Sequence, residues 1–183
     1  MVSRPSMEKL LTMWLLFTGL LLPAQEWTAD SATVHFRIRN AGVAVKGTFD
    51  SVLIRLDRPQ KNWKGATLSG EVLATSVNTG FGMRDKHLRR EDYFDVETHP
   101  RISMESTDLK QTGKGQLQGT FILTIKEHQK TIPLTLAYTE TENTITLDAE
   151  FEIDRRAFGV GGRSLILSDR VRIAVLAAFT EAR

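Results

Sequence analysis

The stretch MRDKHLRREDYFDVETHP, Met83 to Pro100, concentrates the residues of this chain that could do chemistry. It holds Arg84 beside Asp85, two histidines (His87 and His99), and the carboxylates of Glu91, Asp92, Asp95 and Glu97. Metal ligation is one chemistry open to such residues. A zinc site takes three or four ligands, each oriented by a further partner. Asp85, His87 and His99 could contribute, but His35 and His128 fall on a strand's polar face and in a hairpin turn, and no His-Glu-x-x-His occurs. No metal site is expected. Paired carboxylates could act as an acid and a base, as in glycoside hydrolysis. The acidic run reads more simply as the solvated side of a short helix and its exit. The serines lack a Gly-x-Ser-x-Gly elbow. Gly159, Gly161 and Gly162 in FGVGGRS lack the helix that a dinucleotide-binding turn feeds. No catalytic residue and no cofactor is assigned.

A structural reading uses every residue of the stretch. Residues 84–95 contain neither Gly nor Pro and are rich in helix formers, which predicts a short helical segment there. Asp85 near its start suits the helix dipole and can accept free backbone N–H groups. Arg84 can fork onto a carboxylate or onto carbonyls of the strand it leaves. Leu88, Tyr93 and Phe94 then face inward as a plug, and Pro100 ends the segment before the next strand.

The elements around this segment are strands. Apolar residues alternate with period two through TVHFRIRN, VAVKGTF, VLIRL, ATLSGEVLATSV, RISMES, GQLQGTFILTI, TIPLTLAY, TITLDAEFEID and RVRIAVLAAF. The apolar parity flips between Phe49 and Val52, which predicts a bend at Asp50-Ser51. Glu127 to Lys130 reads as a hairpin turn. In the last run Ala174, Leu176 and Ala178 are apolar too, so that strand is expected to be covered on both sides. The result is an all-β domain of about eight antiparallel strands, either a sandwich or a closed barrel. Gly47, Gly70, Ala74, Gly119, Ala149 and Ala177 lie among large residues on the inner face. They either leave room for a ligand or relieve crowding, and the pattern does not choose between these.

Residues 1–24 are read as a signal peptide. Arg4 and Lys9 precede the run LTMWLLFTGLLLP, which is short for a membrane span, and Leu22-Pro23-Ala24 offers a cleavage site before Gln25. The rest, residues 25–183, is one domain without a membrane-spanning segment. Removing residues 1–24 takes away Arg4, Lys9 and Glu8, leaving 22 basic and 21 acidic residues. So balanced a charge gives no broad footprint for nucleic acid or for an anionic membrane. The chain has no cysteine, which excludes disulfides and thiolate chemistry.

The stretch TSVNTGFGMRDKHLRREDYFDVETHPRISMES closely resembles the signature of the YceI-like family. The matching residues are Ser76, Thr79-Gly80, Arg84-Asp85-Lys86-His87-Leu88, Asp92-Tyr93-Phe94-Asp95, Pro100 and Ser106. VAVKGTFDSV, GTFILTIKEHQKTIPLTL, FEIDRRAFGV and LILSDRVRIAVLAAF resemble further pieces of that family. Departures fall at Ala29 to Thr33, where a frequent His is missing, and at Glu127-His128-Gln129, where a Gly-x-x turn is usual. The resemblance implies an extended lipocalin-like antiparallel barrel, secreted or periplasmic, with a polyisoprenoid or related amphiphilic lipid in its lumen. Arg84, Asp85, His87, Leu88 and Phe94 would be its structural signature. Phe36, Phe49, Val72, Met104, Phe121, Leu134, Phe151 and Val175 would line the lumen, with Phe81 and Phe158 at a mouth. The protein would act alone or as a homodimer. Two other classes stay open at this point: a stress-related barrel that binds nothing, and an enzyme built on residues 84–99.

Overall fold

The computed structural model describes residues 26–59 and 62–180. The expected signal peptide lies outside the described residues. Eleven strands form one antiparallel sheet: β1 (Glu26–Thr28), β2 (Ser31–Asn40), β3 (Val43–Phe49), β4 (Val52–Asp57), β5 (Thr67–Leu73), β6 (Val77–Asn78), β7 (Arg101–Gly113), β8 (Gln116–Ile125), β9 (His128–Glu140), β10 (Thr144–Asp154) and β11 (Leu167–Thr180). Their order is β1-β4-β5-β7-β8-β9-β10-β11-β2-β3-β6. The count exceeds the expected number of about eight: nine strands correspond to the nine alternating runs, and β1 and β6 are additions of three and two residues. The sheet curls on itself. At the seam Ala29 N donates to Ile54 O on β4 (2.8 Å) and Asp30 N donates to Ala178 O on β11 (2.9 Å).

Period-two burial follows the sequence. On β8 Leu117, Gly119, Phe121, Leu123 and Ile125 are all buried, with no buried residue between them. The parity flip at Asp50-Ser51 is present: β3 buries Gly47 and Phe49, and β4 buries Ile54 and Leu56. Other expectations need correction. The strand begun by RISMES runs on to Gly113, with register shifts between Ser106 and Asp108 and again between Gln111 and Gly113. The β8–β9 turn is only Lys126-Glu127, with Lys126 at φ 55°, and His128 already pairs with Ile125. The outer face of β11 is not covered, since Leu176 is 48% exposed. The helical segment is shorter and earlier than expected. It is α1 (Gly82–Leu88), after which the chain runs through consecutive turns that include Asp95 at a positive φ of 47°.

The barrel is filled unevenly along its axis. The end formed by Leu56, Trp63, Leu117, Leu136, Ile145 and Phe179 is densely packed, with the Trp63 ring tilted against Tyr138, centroids 5.0 Å apart. Arg58 lies over the Trp63 ring at 4.5 Å and grips Glu140 with two hydrogen bonds (2.6 and 3.2 Å). The opposite end is closed in part by the segment after α1, and the space lies between these ends.

Candidate functional site

The plug is held by short polar contacts. Asp85 is buried, and its Oδ1 accepts from Thr79 N (2.9 Å) and from the Thr79 hydroxyl. Arg84 donates from Nε to Thr79 Oγ1 (2.7 Å) and from Nη2 to Thr79 O (2.9 Å). Asp85 therefore does not cap α1; it and Arg84 fix the loop after β6 from both sides. Arg89, which the sequence reading passed over, reaches Thr75 O (2.8 Å) and Val77 O (3.3 Å). It ties the C-terminal end of α1 to the strand end before it. His87 is half exposed, lies against the Tyr93 ring at 4.8 Å, and sits 3.9 Å from Asp92. Leu88 and Phe94 pack inward with Phe49, Val72, Val77 and Ile102, and Phe94 meets Phe49 edge-on at 5.7 Å.

Losing the Asp85 carboxylate strands a backbone N–H and a hydroxyl in a part-buried place, which costs roughly 1.5–3 kcal/mol. Asp85→Ala should therefore lower the melting temperature by about 4–8 °C for a domain of this size. A thermal scan checks this, and an unchanged melting temperature would contradict the structural role.

The histidines are not gathered into one site. His99 lies 3.3 Å from Glu127 and 4.0 Å from Asp95, while His87 pairs with Asp92. Among the described residues no group of three or more His, Cys, Asp or Glu is arranged to hold a metal. The Glu127 carboxyl is held below its ordinary range, first by its own backbone N–H and then by His128, Lys126 and His99. Its contribution to stability is therefore present above the unfolded-state value and is lost as pH falls through the lower folded-state value.

Above the packed core lies a cavity of about 230 Å³. Its lining is almost wholly apolar. Phe36, Phe49, Val72, Met104, Phe121, Leu134, Phe151 and Val175 all border it, as do Leu88, Tyr93 and Phe94 from the plug. The wall from β4, β5, β8 and β9 is buried, including Ile54, Leu68, Leu123 and Leu136. The wall from β2, β3 and β11 is only half-buried at Val34, Phe36, Ile38, Val45, Val171 and Ile173. Val52, Ile102, Met104, Phe151 and Ile153 in the rest of the lining are half-buried too, so the space is partly open, and on the side of β2, β3 and β11 this half-burial runs out to Ile38, Val45 and Leu167 beside the β2–β3 turn.

Two of the aromatics expected at a mouth stand elsewhere. Phe81 precedes α1, is 53% exposed, and lies under the Arg84 guanidinium. Phe158 is 2% exposed and packs with Leu123, Ile125 and Val160 behind the cavity wall. Phe158 turns inward because Arg155–Phe158 forms a 3₁₀ turn ended by Gly159 in the left-handed region.

The inner-face small residues divide into two groups. A Cβ on Gly47 would lie 2.3 Å from the Phe36 ring, and one on Gly119 would lie 2.7 Å from Asp108 O. Both relieve crowding. A Cβ on Gly70 would find only Ile54, at 3.8 Å, and Gly70 and Ala149 border the cavity. Ala74 and Ala177 are buried in packed surroundings. The two readings of the small residues thus apply to different positions.

The charged residue with most contacts at the cavity is Arg155, the arginine of the Arg-x-x-Phe-Gly pattern in FEIDRRAFGV, to which the sequence assigned no role. It is 3% exposed. Its guanidinium donates to the carbonyls of Ser168 (2.9 Å), Val160 (2.8 Å), Gly162 (3.1 Å) and Leu167 (3.4 Å), and to Asp169 Oδ1 (2.9 Å). One side chain therefore shapes the whole loop from the 3₁₀ turn to β11, with its charge consumed by these acceptors.

One family profile matches nearly all of the described residues. The YceI-like domain profile fits residues 27–179. The chain belongs to the YceI-like family. A UPF0312 protein of Ectopseudomonas mendocina is 33% identical over 95 residues, 51% of this chain and 50% of that protein. A UPF0312 protein of Vibrio parahaemolyticus is 28% identical over 106 residues, 57% of this chain and 55% of that protein. The chain thus spans about half the length of these curated relatives. Among solved structures, BcnA of Burkholderia cenocepacia superposes with a TM-score of 0.74 at 23% identity, covering 80% of this chain and 95% of that one. A polyisoprenoid binding domain from Saccharophagus degradans superposes with a TM-score of 0.71 at 12% identity, covering 87% and 99%. At such identities the likeness establishes the YceI-like fold: an all-β, lipocalin-like antiparallel barrel.

Proposed function

We propose that this YceI-like protein binds a polyisoprenoid or similar long apolar lipid, with the tail in the barrel cavity, and acts as a carrier or binding protein. The observation that carries the reading is the lining. A pocket bordered by Phe36, Phe49, Met104, Phe121 and Phe151, with few polar groups, offers a tail removal from water and offers a reactant very little. At ~25 cal/mol per Å², burying several hundred Å² of tail gains on the order of 10 kcal/mol before the costs of binding. Membership of the YceI-like family and the likeness to a domain named for polyisoprenoid binding support the same reading. Arg84, Asp85, Leu88, Arg89 and Phe94 are engaged in holding the plug, which favours a structural role for that part of the segment. Export to the periplasm or beyond, with residues 1–24 removed, completes the proposal.

Organic extraction and mass spectrometry of protein purified from its native compartment should yield a long isoprenoid-type lipid. The intact mass of the same material reads whether residues 1–24 are gone. Protein that yields no apolar molecule, and whose stability does not change with added isoprenoid lipid, would count for a barrel that binds nothing.

A further inference from the structure

The open side of the cavity ends in a surface that holding a tail inside the barrel does not use. Three outward cations stand in one row across three strands. Arg172 on β11 is the register partner of Arg37 on β2, which is the partner of Lys46 on β3. Like charges directly opposite one another weaken a sheet. Arg172 finds Glu150 at 3.4 Å, whereas Arg37, Lys46 and the nearby Arg39 make no hydrogen bond or ion pair with any described residue. Stability of the sheet does not explain such a row.

Beside it lies an apolar tip. Val43 is 68% exposed at the β2–β3 turn, and Leu165 and Ile166 are 106% and 62% exposed in the loop before β11. The two pieces are joined by Ala41 N donating to Ile166 O at 2.8 Å. Ser164 Oγ accepts from the N–H groups of Ile166 (3.2 Å) and Leu167 (3.0 Å), so the loop presents these side chains from a formed turn. The neighbouring Ile38, Val45 and Leu167 already border the cavity, so the tip is continuous with its opening.

An apolar tip backed by unpaired cations is complementary to the headgroup boundary of an anionic bilayer. We propose that the β2–β3 turn and the loop at 163–166 dock the barrel's open side on an anionic phospholipid surface. Val43, Leu165 and Ile166 enter the boundary while Arg37, Arg39 and Lys46 meet lipid phosphates. A tail could then pass between bilayer and cavity without crossing water. The docking itself does not depend on what fills the cavity.

Co-sedimentation with vesicles tests it, using phosphatidylglycerol mixed with phosphatidylcholine against phosphatidylcholine alone. The chain should bind the anionic vesicles at least tenfold more tightly, and 0.5 M salt should remove most of the difference by screening. The double variant Arg37→Gln with Lys46→Gln should bind about 25-fold more weakly, at about fivefold per cation. Its melting temperature should hold or rise as the opposed charges go. Leu165→Ser with Ile166→Ser, both exposed, should also weaken binding with the fold intact. Equal binding to neutral vesicles, or anionic binding unchanged in both double variants, would overturn the proposal. So would an absence of vesicle binding, which would leave the basic row to an acidic protein partner.

Discussion

Arg155→Leu is expected to destabilise the protein by roughly 3–5 kcal/mol, the cost typical of breaking a buried charged network from one side. The side chain is 3% exposed and serves four carbonyls and one carboxylate. Leucine fills part of its volume and satisfies none of these acceptors. Asp169 is 40% exposed and can turn to water, so the loss comes mainly from the carbonyls. Each buried acceptor left unmade costs about 1–3 kcal/mol, reduced where the loop can relax to admit water. The neighbouring residue is an internal control. Arg156 reaches the same Asp169 at 3.4 Å but is 43% exposed, and a solvent-screened pair of that kind is worth about 0–1 kcal/mol. Urea unfolding of Arg155→Leu and Arg156→Leu should therefore separate by at least 2 kcal/mol, well beyond the error of extrapolation. Arg155→Lys should recover less than half of the loss, because an ammonium cannot fork onto acceptors on several sides. If the two leucine variants unfold at the same urea concentration, the loop from Val160 to Asp169 is held by something other than this guanidinium.

Arg155 also shows where reading the sequence stops. Strands were legible because burial of one face imposes a local period of two, and the bend at Asp50-Ser51 was legible as a change in that period. That the stretch forms a plug was legible because its contacts are local, but its polar partner was not: Asp85, expected at the helix start, binds Thr79 six residues back. Arg155 and Arg156 are adjacent, identical in type and followed by the same turn. Only the fold, which brings residues 160–169 around one of them, makes the first buried and the second exposed. Phe81 and Phe158 failed for a related reason. Each is an aromatic next to a glycine in a loop, and the direction in which it points is set by the turn that carries it. The second half of β7 was hidden because TDLKQTG buries only Leu109, so it offers no alternation to read. The cations of the open side look like ordinary polar-face residues until the register sets Arg37 between Arg172 and Lys46.

Filling the cavity should separate ligand binding from folding. Ala149 is 7% exposed, borders the cavity, and is the register partner of Val175, another lining residue. Ala149→Phe places a ring in the space where a tail would lie. If it displaces about 100–150 Å² of tail contact, then at ~25 cal/mol per Å² binding weakens by roughly 2.5–4 kcal/mol, on the order of a hundredfold or more. Overfilling a close-packed interior ordinarily costs about 1–3 kcal/mol of stability. In an occupied-or-empty cavity that penalty is offset by the apolar area the new ring buries, so the unfolding midpoint should move little. Isoprenoid binding measured by lipid fluorescence or by extraction should therefore fall steeply while the melting temperature stays within a few degrees. Gly47→Ala is the matched contrast. Its Cβ would meet the Phe36 ring at 2.3 Å and Asn78 O at 2.9 Å, so it should damage the fold and lower the melting temperature. A substitution that fills space harmlessly at 149 and does harm at 47 would mean that the two small residues, alike in sequence, serve the ligand and the wall respectively. Unchanged lipid binding in a folded Ala149→Phe protein would place the tail elsewhere, because a ring at that position cannot share the lower cavity with it.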